Sequence, residues 1–379
     1  MKRQFFPFAL AFFCTAAGGG ALTAPPRDPN LQMISIDVEG SGGTLFITPE
    51  GKSLLLDTGN APGNAQVTGK ETADRLADTI RSFGVTKLDY LLTTHYHSDH
   101  VGGFPAFLAK MPVGIVIDHG DNRQPDPPPG AAPPPGAGRG GNALANGAPA
   151  RPRITTQGYY ELYLKAIAGH KHIIAKPGVS LAIGSMKVTF VTADAQVLIK
   201  PLPGAGQPNP ACEGMPGMVN NGGEENARSV ASLITFGKAR IAAFGDLTWD
   251  REKDLVCPIN RVGKVDVFLV SNHGLPQSNS PALLAALQPI VVVEGNGITK
   301  GDDPERVKTI MESGRVQGFW RLHRNTQHPE LDGASDMIAN PVAELAKDGH
   351  YNLRLRILKS GAITVINERN GYNVSYQGR

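Results

Sequence analysis

His95-Tyr96-His97-Ser98-Asp99-His100 places four metal-capable side chains within six residues, directly after the strand-like run Leu88-Asp89-Tyr90-Leu91-Leu92. Imidazoles at alternate positions, followed by a carboxylate and a third imidazole, can be shared between two adjacent metal ions. Ions held in this way activate water, so hydrolysis is the chemistry on offer. The plain alternative is a polar loop with solvent-facing histidines. An isolated His-x-His would leave that alternative standing, whereas four ligand types at this spacing argue against it.

Such a cluster needs elements to aim it. Alternating apolar residues over 31–38, 44–48 and 53–56, separated by turns at 39–43 and 49–51, predict a β-meander ending at Asp57-Thr58-Gly59. A helical pattern follows over 71–83, with Leu76, Ile80 and Phe83 in phase and Gly84 as its stop. Beyond the cluster the pattern predicts a short helix at 105–110 and a strand at 115–117. A helix over 159–167 would carry Leu162, Leu164 and Ala166 on its apolar side. Paired strands are predicted at 179–182 and 186–191, and a hairpin at 229–236 and 239–244. Buried strands at 265–270 and 290–293 flank a helix at 282–287; a helix at 305–313 and strands at 353–358 and 362–366 complete the reading. Strands in two blocks, each followed by helices, fit an α/β (α+β) sandwich of two sheets with helices outside.

Two stretches stand apart. Residues 121–152 hold nine Pro and six Gly, too little apolar surface to offset ordering entropy, and read as an insertion near the mouth of a site. Residues 201–225 read as an irregular loop containing Cys212. At the N-terminus, basic Met1-Lys2-Arg3-Gln4, an apolar stretch over 5–17 and small residues to about Ala24 predict a signal peptide, 1–24, and hence an exported protein, periplasmic or extracellular. The apolar stretch is too short for a comfortable membrane span, and no transmembrane segment is expected after its removal. Lipidation at Cys14 fits less well behind Phe12 and Phe13. A single hydrolase domain is expected over 30–370.

Lys and Arg number 37 against 34 Asp and Glu, a net charge of +3, which falls to +1 without Lys2 and Arg3. A tight, sequence-independent nucleic-acid binder would carry a stronger basic field. Net charge therefore does not imply a nucleic-acid partner, though a local basic groove stays open. After signal removal only Cys212 and Cys257 remain, either free or as one disulfide, without zinc-ribbon spacing.

Leu56-Asp57-Thr58-Gly59, the His95–His100 cluster with Thr93-Thr94 before it, Gly245-Asp246 and His273 resemble, in order, the metallo-β-lactamase fold superfamily. The resemblance implies a four-layer αββα sandwich with two divalent metal ions at one edge of its sheets. It implies His95 and His97 on the first ion, Asp99, His100 and His273 on the second, and Asp246 bridging both. Asp57 reads as a carboxylate orienting a ligand histidine, or as a simple turn residue. Many members supply a third histidine to the first ion from a place that here reads Glu224-Glu225-Asn226-Ala227-Arg228-Ser229. Asn226 could supply an amide oxygen there, a water could fill the position, or the ion could be loosely held. His170 and His172 are substitutes only if they are not surface groups. The Asn-x-x-Ser pattern and the later His-Gly are similar to the hydrolase domain of competence-type DNA-uptake proteins, although Ser271-Asn272-His273-Gly274 departs from that branch's His-His-Gly-Ser.

An imidazole-rich set suits zinc, with manganese or iron open in a site that also holds carboxylates. Asp99 is then both ligand and acceptor of the nucleophile's proton. His323 and Arg324 are candidates to touch substrate, or else form an exposed basic strand end. The favoured expectation is an exported dinuclear hydrolase acting on a small-molecule or phosphoester substrate. β-Lactam, amide or thioester hydrolysis is the enzymatic alternative, and a non-catalytic binding protein with a residual metal site is the other.

Overall fold

The computed structural model describes residues 28–62, 71–124, 126, 154–215, 223–341 and 350–378. The signal-peptide expectation for 1–24, most of the insertion 121–152 and the end of the loop 201–225 lie outside the described residues.

The strands fall into three runs along the chain. The first is β1 (Leu31–Ser35), β2 (Thr44–Ile47), β3 (Ser53–Leu56), β4 (Leu88–Leu92), β5 (Val113–Asp118) and β6 (Lys171–Ile174). The second is β7 (Ser180–Ile183), β8 (Met186–Ala193), β9 (Gln196–Val197), β10 (Ala231–Phe236), β11 (Ala239–Ala243), β12 (Val267–Leu269), β13 (Val291–Glu294), β14 (Gly318–His323) and β15 (Ile338–Asn340). The third is β16 (Leu353–Ile357), β17 (Ile363–Asn367) and β18 (Asn373–Tyr376).

The first and third runs form one sheet, ordered β18-β17-β16-β1-β2-β3-β4-β5-β6. The second forms the other, ordered β15-β14-β13-β12-β11-β10-β8-β7, with β9 on β8. The helices are α1 (Thr72–Ser82), α2 (Ser98–Val101), α3 (Phe104–Leu108), α4 (Thr156–Ile167), α5 (Gly223–Asn226), α6 (Trp249–Val256), α7 (Pro281–Leu287) and α8 (Pro304–Met311).

Side-chain alternation explains the layering. Along β1, Leu31 and Met33 enter the core between the sheets with Phe46, Ile234, Ile241 and Leu355, while Ile34 turns to the other face with Leu76, Ile80 and Phe104. The outer face of the second sheet packs Phe244 and Phe268 against Leu255 of α6, Leu283 and Leu287 of α7 and Ile310 of α8. Helices thus cover both outer faces of two stacked sheets, the αββα order expected from the sequence. Among the described residues no helix is long and apolar enough to cross a membrane.

The structure corrects several readings. Helix α4 buries Tyr160, Tyr163 and Ile167, while Leu162 and Leu164 are 39% and 42% exposed. Alternate positions 162, 164 and 166 spread around a helix, whereas 160, 163 and 167 share a face. Strand β14 lies between β13 and β15, so residues 318–323 are interior rather than an exposed basic end. The first sheet continues through β18, past residue 370, and Trp320 Nε1 donates to Tyr376 Oη at 3.1 Å. Strands β6, β15 and β18 and helix α6 had no sequence expectation. Cys212 and Cys257 form a disulfide that ties the loop 201–225 to the end of α6.

Candidate metal centre

The histidine cluster follows β4, where the chain turns out of the first sheet. Tyr96, between two imidazoles, is the fixed point: it is fully buried, its hydroxyl donates to Gly120 O at 2.5 Å, and its ring lies 4.6 Å from Tyr160. Burial keeps that phenol well above its ordinary pKa, so it stays neutral. With Tyr96 anchored toward α4, His95 and His97 turn the other way, and their Nε2 and Nδ1 atoms lie 3.1 Å apart.

Other strand ends bring the partners. Asp246 follows β11, and its backbone N–H donates to Ser229 Oγ at 3.2 Å. His273 sits in the turn Ser271–Gly274 after β12, where Asn272 and His273 take φ of 49° and 52°. Consecutive left-handed non-glycine residues cost energy, and here the conformation aims an imidazole inward. Gly274 ends that turn at φ 81°, and a Cβ there would lie 2.0 Å from Glu294 Oε1. A second close approach is at Gly42, where a Cβ would lie 2.7 Å from Asp57 Cβ and 2.8 Å from His100 Nδ1.

The hydrogen-bond partners decide which ring nitrogens face inward. Thr94 Oγ1 donates to Asp57 Oδ2 at 2.8 Å, so it acts as acceptor toward His95 Nδ1, 3.1 Å away. His95 Nε2 then carries its lone pair inward. His100 Nδ1 lies 2.8 Å from Asp57 Oδ2, leaving Nε2 to face Asp246 Oδ1 and His273 Nε2, both at 3.2 Å. His273 Nδ1 is 3.0 Å from Gly295 O, so its Nε2 also faces inward, 3.3 Å from Asp99 Oδ2. One ligand atom each from Asp99, His100, Asp246 and His273 lies within 4.8 Å of the others. Converging acceptors repel unless a cation or proton lies among them, so the donor set fits a divalent ion.

Electrostatics point the same way. Burial, reinforced by the charge on His100, holds His95 well below its ordinary pKa and so neutral. At His100 burial opposes charge, yet Asp246, Asp99 and Asp57 together outweigh it and raise the pKa well above the usual imidazole value. Burial would likewise raise Asp99, but Lys300, His100 and His273 hold it well below the carboxylate range. Lys300 Nζ bonds Asp99 and also donates to Gly40 O at 2.9 Å.

The two groups of ligands are unequal. Asp99, His100, His273 and Asp246 meet as a set of four. His95 and His97 meet each other, and His95 Nε2 is 3.9 Å from Asp246 Oδ2. Asn226 is 6% exposed and ends α5, and its buried Oδ1 has no hydrogen-bond partner. Three residues on, Ser229 holds Asp246, and Val230 N–H donates to Thr94 O at 2.9 Å. An orphaned amide oxygen on this turn fits the role of a ligand atom. His172 is instead given to Asp118 at 2.7 Å, and neither it nor His170 belongs to the four-residue set.

His323 and Arg324 do not belong to the four-residue set. His323 is fully buried, its Nε2 2.6 Å from Asp37 Oδ1, because β14 is an interior strand. Arg324, one residue on, pairs with Asp332. Sequence reasoning passed over Lys300, Glu225 and Gln124. Glu225 Oε1 accepts from Tyr96 N–H at 3.0 Å and lies 2.7 Å from His119 Nε2, both side chains being fully buried. Glu225 directly precedes Asn226 in the Glu-Glu-Asn segment, whereas nothing in the local pattern marks Lys300 or Gln124.

Residues 39–173 match the family described as the metallo-beta-lactamase superfamily. That span contains Asp57 and the whole His95–His100 cluster; Asp246 and His273 lie beyond it. Among solved structures, CmlA, a diiron beta-hydroxylase from Streptomyces venezuelae, is 15% identical over 79% of this chain, with a TM-score of 0.41. The chain spans 54% of CmlA's length. The metallo-beta-lactamase fold protein YhfI from Bacillus subtilis is 14% identical, with 78% of this chain and 96% of YhfI covered and a TM-score of 0.40. A diphosphatase from the PhnP family is 11% identical over 70% of this chain and 87% of its own, with a TM-score of 0.33. No curated protein matches the chain in sequence.

Proposed function

We propose that the protein is an exported hydrolase that works with two divalent ions, zinc by preference, on a phosphoester substrate. The observation that carries this reading is the convergence of His95, His97, His100 and His273 with Asp99 and Asp246, each of three imidazoles having its outer nitrogen occupied by Thr94, Asp57 or Gly295. His95, His97 and Asp246 would hold the first ion, with the unpartnered Oδ1 of Asn226 as a candidate further ligand; Asp99, His100, His273 and Asp246 would hold the second. When bound, such a pair supplies water activation at neutral pH and positive charge for a developing oxyanion.

The chain's own groups do the rest. Asp57 fixes the His100 ring and, by accepting from Thr94 N–H at 2.7 Å, the start of the cluster as well. Asp99 is the carboxylate that would take the nucleophile's proton. Lys300, paired with Asp99, adds an ammonium beside the carboxylate, a positive charge for an anionic substrate to meet. That charge favours phosphoesters over neutral esters, in line with the narrower sequence resemblance around Asn226 and Ser229 to uptake-protein hydrolases. The Cys212–Cys257 disulfide and the basic-then-apolar N-terminus support export.

Metal analysis of the purified protein should find about two ions per chain. Turnover should appear on bis-p-nitrophenyl phosphate or p-nitrophenyl phosphate and disappear in Asp99→Ala. Turnover on nitrocefin or a thioester alone would replace the phosphoester reading. Bound ions with no turnover on any of the four would leave a binding protein.

A further inference from the structure

His97 Nε2 faces away from His95 and lies 3.2 Å from Gln124 Oε1. The same oxygen lies 3.2 Å from the backbone nitrogen of Glu225, which can only donate. On the other side, Gln124 Nε2 donates to Thr156 Oγ1 at 3.1 Å. The amide therefore has its oxygen toward His97, and an imidazole nitrogen facing an acceptor must carry the proton. His97 is thereby held as the Nε2–H tautomer, with the Nδ1 lone pair turned toward His95 Nε2.

From this wiring we infer that Gln124 is the positioning residue of the first metal site. Resting on the two-ion reading, it sets both the tautomer and the ring angle of His97. The role suits the weaker half of the centre, where Thr94 stands behind His95 but no carboxylate stands behind His97, whereas His100 in the other half has Asp57. It also gives the Pro/Gly-rich stretch 121–152 a function at its root. Gln124 N–H donates to Asn122 Oδ1 at 3.0 Å, and Asn122 Nδ2 donates to Gln157 Oε1 at 2.8 Å. Both sides of the stretch are thus tied at the start of α4, and one residue of that tie reaches a metal ligand. Glu225, bonded to Gln124 through its backbone and to Tyr96 N–H through its carboxylate, joins the two supports.

The test uses the full-length protein, zinc alone, competition with a chelator and metal content by mass spectrometry. In Gln124→Leu, one of the two ions should bind about 10- to 100-fold more weakly while the other is unchanged. Gln124→Glu, which keeps an acceptor for both His97 and Glu225 N–H, should stay within about threefold of the parent protein, well inside that loss. Equal loss in the two variants would show packing rather than positioning and overturn the inference. Retention of both ions by Gln124→Leu would overturn it and leave the two-ion reading intact. A parent protein that binds a single ion would overturn both. Should Gln124→Leu fail to fold, nitrogen-15 NMR of the metal-free parent decides the matter, since a proton on His97 Nδ1 contradicts the inference.

Discussion

Two buried clusters in this fold are built from the same residue types and wired in opposite senses. In one, Asp99 and Asp246 face the inward nitrogens of His95, His100 and His273. In the other, Asp37 receives His323 Nε2 at 2.6 Å on one oxygen and His350 Nδ1 at 3.3 Å on the other. In the second cluster these two nitrogens turn to the carboxylate itself, and the other ring nitrogen of His323, Nδ1, is buried without a hydrogen-bond partner. In the first, Thr94, Asp57 and Gly295 occupy the outer nitrogens, so the inner ones converge on the two carboxylates and on one another. Residue type thus says little about metal binding; the partner of the opposite ring nitrogen says a great deal.

The comparison breaks most visibly at Asp246. Asp246→Ala should lower turnover by about 10³-fold or more and metal content by at least one ion, with the circular dichroism spectrum unchanged. Full activity would show that the converging acceptors are not the working centre. At the Asp37 cluster the same type of change should act on stability alone. Asp37→Asn should cost roughly 3–5 kcal/mol at pH 7, read from denaturant midpoints, with metal content unchanged. Burial would raise the Asp37 pKa, but the charge and hydrogen bonds of His323 and His350 override it and hold it well below 3.8. A depressed carboxylate contributes stability above its unfolded pKa and loses it as pH falls. The gap between Asp37→Asn and the parent should therefore narrow below about pH 4. A loss of metal in this variant would mean that the two clusters are one system.

Between these extremes stands Asp57, which touches no inward nitrogen. Asp57→Asn should weaken metal binding by about 10- to 100-fold without unfolding the protein, measured by chelator competition. An unchanged affinity would reduce Asp57 to a turn residue. The smallest effect is expected at Arg324, just past β14, whose half-exposed side chain pairs with Asp332. Arg324→Ala should stay within about 0.5 kcal/mol in stability and leave kcat/KM unaltered. A tenfold rise in KM would restore it to the substrate site.

The candidate site was legible in the sequence wherever candidate ligands stood at strand ends in a recognisable order: His95 to His100 after β4, Asp246 after β11, His273 after β12. Their supports were less so, for a physical reason. Gln124 and Lys300 reach the centre across the fold, Lys300 Nζ meeting an oxygen 201 residues away in sequence, and local periodicity carries no trace of such contacts. Strands were legible where both faces are buried, as in β1 and β10. Edge strand β6 is largely exposed and short, so Lys171–Ile174 lacked the alternation that would have marked it. Helix α4 shows the reverse error, in which apolar residues were present but their spacing was taken at the wrong period.

The pairing of the first strand with β16 has a consequence for assembly. Strand β1 sits between β2 and β16, with Leu31 opposite Ile357. As the chain emerges from the ribosome, β2 is available to β1 almost at once, but the other edge must wait for nearly the whole polypeptide. Contacts this distant in sequence form slowly, and an unpaired edge is prone to join a foreign strand in the interval. A polypeptide cut before β16 would carry every ligand from His95 to His273 and still leave that edge open beside Asp37 and Gly42. Completion of the last three strands is thus the late event on which a closed, non-aggregating molecule depends.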